Sequence, residues 1–391
     1  MNQLLPILLI APLLAVAVGF CFKNEQERPI FWSAALGLGI NFIALLAITA
    51  LWIQNGFEDV FVHGPVLYHA KATEFAINRF LDGHSLVYML VATFLTGVIA
   101  VFSKYYMHRE KGYKRFFNNL KFFYFGLLLV LLAGNLETLF MGWEVLGVTS
   151  FFLIGFYRER YLPVKNALKV VSLYRVADIA LLLSIWVCHH YFGHSVNFNE
   201  MYEHGLHNEE AHILNESFYE FFIPSLFLVA AMVKSAQFPF SSWLPRAMEG
   251  PTTSSAIFYG SLSVHIGVFL LIRTSPFWAE NMIFHVIIGL IGLATAIMAT
   301  LTAGVQSTIK TQIAYSSVAQ IGLMFIEVAL GLYWLAVIHF ACNAFLRSYQ
   351  LLLSPSVLSY RIHDQFFHFT PPVPQGTKGF WNKLQMSLYI L

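Results

Sequence analysis

Several ionisable side chains of this sequence lie inside long apolar stretches, and Lys234 is the clearest of them. It directly follows the apolar run at residues 226–233. An ionisable side chain inside a lipid bilayer costs several kcal/mol, so it marks a relay, a pore or a paired structural contact. A lysine in apolar surroundings can gain or lose a proton near neutral pH. We therefore select Lys234 as the first candidate for a proton-carrying residue.

Two glutamates and an oppositely charged pair are the next candidates. Glu137 and Glu144 are seven residues apart across the junction of two predicted helices. Arg175 and Asp178 are three residues apart, the spacing at which opposite charges meet on one helical face. This pair is either part of a proton pathway or an internal ion pair that only holds helices together. A contact between Glu144 and Lys234 would change how readily the lysine holds its proton.

A polar stripe runs along the last predicted membrane helix. His339, Asn343 and Arg347 recur every fourth residue, so they share one face. In lipid this face must meet protein or water, which predicts either a proton path or hydrogen bonds between helices. Because arginine does not deprotonate in proteins, Arg347 cannot relay a proton as a lysine does. Further ionisable candidates lie in or at the ends of predicted spans: His265, Lys310 and Glu327.

Prolines follow the candidate lysine closely. Pro239 and Pro245 interrupt the apolar stretch, and Gly250-Pro251 closes it. Prolines free backbone carbonyls and break membrane helices, a device that transporters use at ion sites. The sequence therefore predicts a broken helix beside Lys234.

These side chains need membrane helices to position them, and the composition supplies such helices. Of 391 residues, 58% are hydrophobic and only 11% are charged, with a mean hydropathy of +0.64. About 20 apolar residues cross a bilayer. We predict an all-α integral membrane protein with eleven spans, at residues 3–22, 31–53, 84–103, 121–138, 139–157, 166–190, 219–245, 252–273, 281–304, 310–331 and 333–353.

Lysine and arginine are distributed very unevenly between the two sets of connections. Cytoplasmic connections are rich in these residues, which predicts an external N-terminus and a cytoplasmic tail at residues 354–391 with an amphipathic end. The side predicted to be external carries only Lys71, Arg79 and Arg273, whereas the basic side carries Lys23, Arg28, Lys104, Arg109, Lys111, Lys114, Arg115, Lys121, Arg158, Arg160, Lys165, Lys169, Arg246, Lys310, Arg361, Lys378 and Lys383.

The connection between the sixth and seventh spans is rich in histidine. Imidazoles and carboxylates are zinc ligands, but their spacing here matches no ordered ligand pattern, which favours a solvated acidic loop. A net charge of +2 gives no reason to expect nucleic-acid binding. No signature of a nucleotide, flavin, haem or iron–sulfur site is present. The histidines are His189, His190, His194, His204, His207 and His212.

The sequence resembles the antiporter-like subunits of respiratory complex I, chain L type, and of Mrp antiporters. The resemblance runs from about residue 82 to residue 353 and is carried by Tyr105-Tyr106-Met107 through Phe116-Phe117, Gly142-Trp143-Glu144, Leu153-Ile154-Gly155-Phe156-Tyr157, Arg175-Val176-Ala177-Asp178, Lys234-Ser235-Ala236-Gln237, Trp243-Leu244-Pro245, Met248-Glu249-Gly250-Pro251-Thr252 and Ala314-Tyr315-Ser316.

The resemblance implies an antiporter-like fold with a broken seventh helix. Glu144 and Lys234 match the family's glutamate–lysine couple in its first proton half-channel. It also implies four segments: helices one to three with a cytoplasmic loop at 1–120, a first repeat at 121–250, part of a second, inverted repeat at 251–353, and the tail at 354–391.

The chain departs from the family pattern in its second half. Tyr259 occupies a position where the family usually has histidine, while His265 lies further along the same span. Asn343 and Arg347 stand where the family usually has histidine and lysine. The chain also stops where those subunits continue through the second repeat, so we expect a truncated repeat, with the exit half-channel absent or supplied by another chain or an extension.

These departures, the length and the run at residues 255–265 are similar to the membrane subunit of DAB-type inorganic carbon accumulation complexes. That similarity implies a cation-coupled plasma-membrane subunit, without its own cofactor, that powers a zinc-bearing, carbonic-anhydrase-like partner. It also implies that any catalytic activity belongs to the complex. Three alternatives remain: a complex I or Mrp antiporter subunit, a sodium-coupled version, and a non-conducting membrane anchor.

Overall fold

The structure is a computed structural model, and it describes residues 3–70, 73–204 and 216–367. Side chains are not described at residues 70, 73, 74, 203, 204, 216–218, 259 and 355–367. The helices are α1 Leu5–Cys21, α2 Glu27–Gln54, α3 Gly83–Tyr106, α4 Tyr113–Leu131, α5 Leu136–Ile154, α6 Tyr161–Phe192, α7 Phe198–His204, α8 Glu216–Lys234, α9 Trp243–Arg246, α10 Thr252–Ser255, α11 Ile266–Arg273, α12 Met282–Ala303, α13 Ile309–Ala329 and α14 Tyr333–Phe367.

The predicted helical membrane architecture is confirmed. Each predicted span overlaps a helix or a pair of helices in the described residues. Seven of the described helical stretches are long and apolar enough to cross a membrane, and α1 is a shorter apolar helix. The chain is therefore a multi-pass membrane protein.

The boundary between the fourth and fifth spans differs from the prediction. The predicted helix at residues 121–138 lies instead at Tyr113–Leu131, because Asn135 begins a new helix by accepting a hydrogen bond from Thr138 N at 3.0 Å. Glu137 and Glu144 are consequently on one helix, about two turns apart, rather than on either side of a junction.

The described residues of the connection between α2 and α3 contain four short strands. The outer pair consists of β1, Val60–Val62, and β4, Arg79–Leu81, which are antiparallel. The inner pair lies between them in sequence and consists of β2, Val66–Ala70, and β3, Thr73–Ala76, also antiparallel. Asn78 ties this double hairpin to the start of α7 through Asn197, at 2.9 Å. Phe80 N donates to Leu132 O at 2.9 Å and Gly134 N donates to Asn78 O at 2.8 Å, so the hairpin lies against the turn between α4 and α5.

Two other predicted helices differ from expectation. The span at 252–273 is interrupted by a π-helical segment at Ala256–Leu262, so α10 and α11 are separate. The last helix runs to Phe367 rather than ending at residue 353, so the first part of the predicted tail is helical. The remainder of that tail, with its predicted amphipathic end, lies outside the described residues.

Helices α4 and α5 cross closely because two glycines face each other. A methyl group placed on Gly142 would lie 2.7 Å from Val130 N and 2.8 Å from Gly126 O. No such approach is possible for a residue with a side chain, so the close crossing requires glycine at Gly142. The crossing fixes the next two residues of α5, which are Trp143 and Glu144.

We expect Gly142→Ala to destabilise the protein by about 1–3 kcal/mol, the usual cost of overpacking a core. Gly97→Ala is the matched control, because a methyl group on Gly97 in α3 meets no atom within 4 Å. Thermal unfolding in detergent measures both variants. If Gly142→Ala were as stable as Gly97→Ala, the α4–α5 crossing would be looser than described.

Candidate functional site

Lys234 is the last residue of α8 and is buried. Only 1% of its surface is exposed, and its Nζ has no hydrogen-bond partner among the residues described. The Nζ atom lies 4.7 Å from the ring centre of Trp143 and 4.6 Å from that of Tyr174. Aromatic faces attract a cation electrostatically. The two rings therefore stabilise the ammonium group while leaving its protons free for transfer.

A chain of charged side chains begins beside this lysine. Trp143 Nε1 donates to Asp178 Oδ1 at 3.0 Å. Arg175 pairs with Asp178 at 2.8 Å and with both carboxylate oxygens of Glu144, at 3.2 and 2.9 Å. Asp178 is buried, whereas nearly half of the Arg175 side chain is exposed. The order outward from Lys234 is therefore Trp143, Asp178, Arg175 and Glu144.

The expected contact between Glu144 and Lys234 is not made in the described structure. Glu144 is paired with Arg175 instead, as is Asp178. The opposite charges three residues apart on α6 do meet, as their spacing indicated. Sequence spacing could not show that Arg175 also reaches across to α5, because that depends on how the two helices are rotated about their axes.

The break after α8 holds the lysine in place. Residues 235–242 are not helical, and Pro239 lies within this break, while Pro245 lies in the short helix α9. Two hydrogen bonds fix the end of α8: Ser235 Oγ donates to Val264 O at 2.6 Å, and Trp243 Nε1 donates to Val233 O at 2.9 Å. The predicted helix at 219–245 thus ends at Lys234 itself.

A second polar cluster joins the short turn at Ser263–His265, just before α11, to α14. His265 is fully buried, and its Nε2 lies 3.0 Å from Asn343 Nδ2. Asn343 Oδ1 accepts from Arg347 Nε at 3.1 Å, and Arg347 also donates to Gln350 and to Ser316 O. The predicted stripe therefore faces protein. The side chain of Tyr259 lies outside the described part of the chain.

His339 belongs to a separate group nearer the start of α14. Its Nδ1 lies 2.7 Å from Glu327 Oε1 and its Nε2 lies 2.9 Å from Gln320 Oε1. Lys310, at the start of α13, instead donates to Gly250 O at 3.3 Å. Lys310 thus lies beside the segment that follows α9.

Glu137 and His189 form a pair that the sequence did not indicate. Glu137 is buried, and its Oε1 lies 2.7 Å from His189 Nε2 on α6. Among the described residues, no three histidine, cysteine, aspartate or glutamate side chains are grouped as metal ligands. His207 and His212 of the histidine-rich connection lie outside the described residues.

Lys121 was assigned to a cytoplasmic connection, but it is buried. Only 3% of it is exposed, and its Nζ donates to Ala15 O at 2.7 Å and to Ser33 Oγ at 3.0 Å. Because α4 begins at Tyr113, Lys121 lies two turns inside the helix. The predicted span began at residue 121, which placed Lys121 at the membrane edge because the true start of α4 was missed.

Arg273 was likewise assigned to an external connection, yet only 1% of it is exposed. Its guanidinium lies 3.3 Å from Asp82 Oδ1 and 4.8 Å from the ring centre of Phe80. Asp82 also caps α3 by accepting from Ser85 N at 2.9 Å. The pair joins α11 to the start of α3, and Asp82 and His84 line a cavity of about 570 Å³ beside it.

Two family models match this sequence. The one described as "NADH:quinone oxidoreductase/Mrp antiporter, TM" matches residues 133–370, well over half of the chain. The one described as "NADH-Ubiquinone oxidoreductase (complex I), chain 5 N-terminus" matches residues 69–117. The two matches include every candidate residue of the Lys234, His265 and His339 groups.

Two proteins with similar sequences are each named as subunit L of an NADH-quinone oxidoreductase. NADH-quinone oxidoreductase subunit L of Neisseria meningitidis is 31% identical over 374 residues, which is 93% of this chain and 55% of that protein. Subunit L of Escherichia coli is 32% identical over 340 residues, 84% of this chain and 54% of that protein. The chain therefore spans about half the length of these relatives.

The fold is also similar to that of a chain in the Mrp complex from Dietzia sp. DQ12-45-1b. The TM-score is 0.73 at 23% sequence identity, and the match covers 95% of this chain and 38% of that chain. At that identity the comparison establishes the fold alone.

Proposed function

The chain belongs to the NADH:quinone oxidoreductase/Mrp antiporter family of membrane subunits, and from this premise we propose that it conducts protons across the membrane within a larger complex. Under this proposal, any catalytic activity of the complex belongs to a partner subunit. The relatives are themselves named as subunits or occur in complexes, which supports a partner for this chain.

The observation that carries this proposal is the setting of Lys234. A buried ammonium group that no described residue hydrogen-bonds is costly to fold, so a purely structural role gives little reason to keep it. A group that exchanges protons needs this arrangement, because its N–H bonds must be free to meet a water or another carrier.

The gate in this proposal is Arg175. While Arg175 is paired with Asp178, that carboxylate is partly neutralised beside the lysine. If Arg175 releases Asp178 and keeps only its pair with Glu144, the free carboxylate favours the charged form of Lys234; if the pair with Asp178 forms again, the lysine releases its proton more readily. The half-exposed position of Arg175 gives it room for this motion. Protons then pass toward the histidines on the later helices.

We further propose that the proton flux drives the accumulation of carbon dioxide or bicarbonate by a zinc-bearing, carbonic-anhydrase-like partner. The support is the sequence similarity at residues 255–265 and the departures at Tyr259, Asn343 and Arg347. Under this proposal the chain lies in the plasma membrane, with its N-terminus outside and its tail in the cytoplasm. In a sodium-coupled version of this proposal, the same carboxylates and the broken helix after α8 would bind Na⁺ instead of relaying protons.

Co-purification tests the partner. The tagged chain is isolated from its native membrane in mild detergent, and the proteins that accompany it are identified by mass spectrometry, with metal analysis of the complex. A carbonic-anhydrase-like protein with stoichiometric zinc is the expected result. Quinone-linked or Mrp-type subunits would instead assign the chain to a complex I or Mrp antiporter assembly.

Proton conduction itself is tested on the same purified complex in liposomes. An imposed pH or sodium gradient is expected to produce a proton flux that an interior pH dye reports. Replacing sodium by potassium shows whether the flux requires sodium. A complex that retains all its subunits and passes neither ion would favour the non-conducting anchor.

A further inference from the structure

A large basic cavity lies on the side of the molecule opposite Arg273 and Asp82. It has a volume of about 690 Å³ and is formed by the loop before α4 and the loop between α5 and α6. Two glutamates, Glu110 and Glu159, also line it, so the net formal charge of the lining is +4. The basic side chains are Arg109, Lys111, Lys114, Arg115, Arg158 and Arg160.

Most of this positive charge has no carboxylate partner. Among the described residues, no carboxylate lies within 4.0 Å of the charged groups of Arg109, Lys111 or Arg158. Lys114 and Arg115 donate to backbone carbonyls, which leaves their charge uncompensated. Like charges gathered in one concave site repel one another unless an anion enters.

The loop that carries Arg109 is held in a fixed shape. Arg109 has a φ of +61°, which a residue with a side chain rarely adopts. The carboxylate of Glu27, on α2, holds it there by accepting from Arg109 N at 2.7 Å, and it also contacts His108 at 2.6 Å. A conformation of this kind persists only where its surroundings impose it. The cavity is therefore a shaped site rather than a chance gap between mobile loops.

The position of the cavity indicates the source of the anion. It lies at the ends of three membrane helices, α4, α5 and α6, where lipid headgroups meet water. The partly buried Tyr157 also lines it, and tyrosine side chains favour that interface. A headgroup with its glycerol fits a cavity of this volume.

We propose that this basic cavity binds the phosphate group of an anionic phospholipid. Arginine and lysine are suited to phosphate oxygens, arginine through its planar fork and lysine as a point charge. The lipid occupies the groove between residues 109–115, which comprise the end of the loop before α4 and the first turn of α4, and the loop at residues 156–160. It would thereby fasten α4 to α5 and α6, the helices that carry Glu144 and Arg175.

Titration of the delipidated full-length chain in detergent tests the site. The probes are short-chain phosphatidylglycerol, short-chain phosphatidylcholine and inorganic phosphate. We expect phosphatidylglycerol to bind more tightly than either of the others. In the variant Lys111→Gln/Arg158→Gln its affinity is expected to fall about 30-fold, since each basic residue near an anionic lipid contributes about 1 kcal/mol.

The matched control is Arg28→Gln/Lys165→Gln, which removes two exposed basic side chains outside the cavity. Unchanged lipid affinity in this control, with the loss confined to the cavity variant, supports the proposal. Equal affinity of the wild type, the cavity variant and the control variant for phosphatidylglycerol overturns the proposal. Inorganic phosphate that binds as tightly as the lipid, with the same sensitivity to the cavity variant, overturns the lipid as the source of the phosphate.

Discussion

Lys234→Met is expected to abolish proton flux through the complex while leaving the chain folded and assembled. Methionine has nearly the length of lysine and suits the apolar walls formed by Trp143 and Tyr174. Among the described residues Lys234 Nζ has no hydrogen-bond partner, so its replacement leaves no side chain without a direct contact. The loss of flux should reach about two orders of magnitude or more, the usual contribution of a positioned proton-transfer group.

The measurement is dye-reported proton flux in liposomes, with thermal unfolding and subunit composition recorded on the same samples. Lys165→Met is the matched control, because Lys165 is an exposed lysine at the start of α6. Normal flux in a fully assembled Lys234→Met complex would show that the buried lysine does not carry protons. That result would favour the membrane anchor over the conducting subunit.

Arg273→Met is expected to cause the largest loss of stability. Arg273 and Asp82 form a buried ion pair between α11 and the start of α3. Removing one member of such a pair costs about 3–5 kcal/mol, because the other charge stays buried without compensation. Denaturant or thermal unfolding of the full chain in detergent measures this loss. The flux of the folded fraction should change much less than in Lys234→Met.

The same variant is expected to be less destabilised at pH 5 than at pH 7. Burial raises the pKa of Asp82, but the Arg273 guanidinium and the hydrogen bonds from His84 and Ser85 outweigh it and hold that pKa well below its usual range. In the wild type, ionised Asp82 therefore adds to the free energy of unfolding above its unfolded pKa. This added stability is lost only in strong acid, as the pH falls through the folded pKa.

Without Arg273, only the contacts with His84 and Ser85 still lower the pKa of Asp82, and we expect burial to outweigh them and to raise the folded pKa above its unfolded value. The cost of the buried carboxylate then grows with pH and is relieved when the carboxylate is protonated. The double variant Asp82→Asn/Arg273→Met removes the stranded charge and keeps a capping side chain, so it should recover much of the lost stability at pH 7. Equal unfolding of the single and double variants at both pH values would contradict a charge-based cost.

Local patterns in the sequence were sufficient for the membrane class, the approximate helices and several site residues. Hydropathy over about 20 residues depends on the composition of a segment and not on its neighbours, so the spans could be predicted one by one. The pair Arg175 and Asp178, the stripe from His339 to Arg347 and the break after Lys234 are also local. Each depends only on spacing along one chain segment or on proline chemistry.

Only the tertiary structure decided which charges meet across helices. Glu144 pairs with Arg175 rather than with Lys234, Glu137 pairs with His189, and Lys121 and Arg273 are buried rather than in connections. Successive residues of a helix turn by about 100°, so a small shift in where a helix begins or how it is rotated exchanges one facing side chain for another. Those shifts are set by packing between helices, such as the contact of Gly142 with Gly126, which no single segment of the sequence contains.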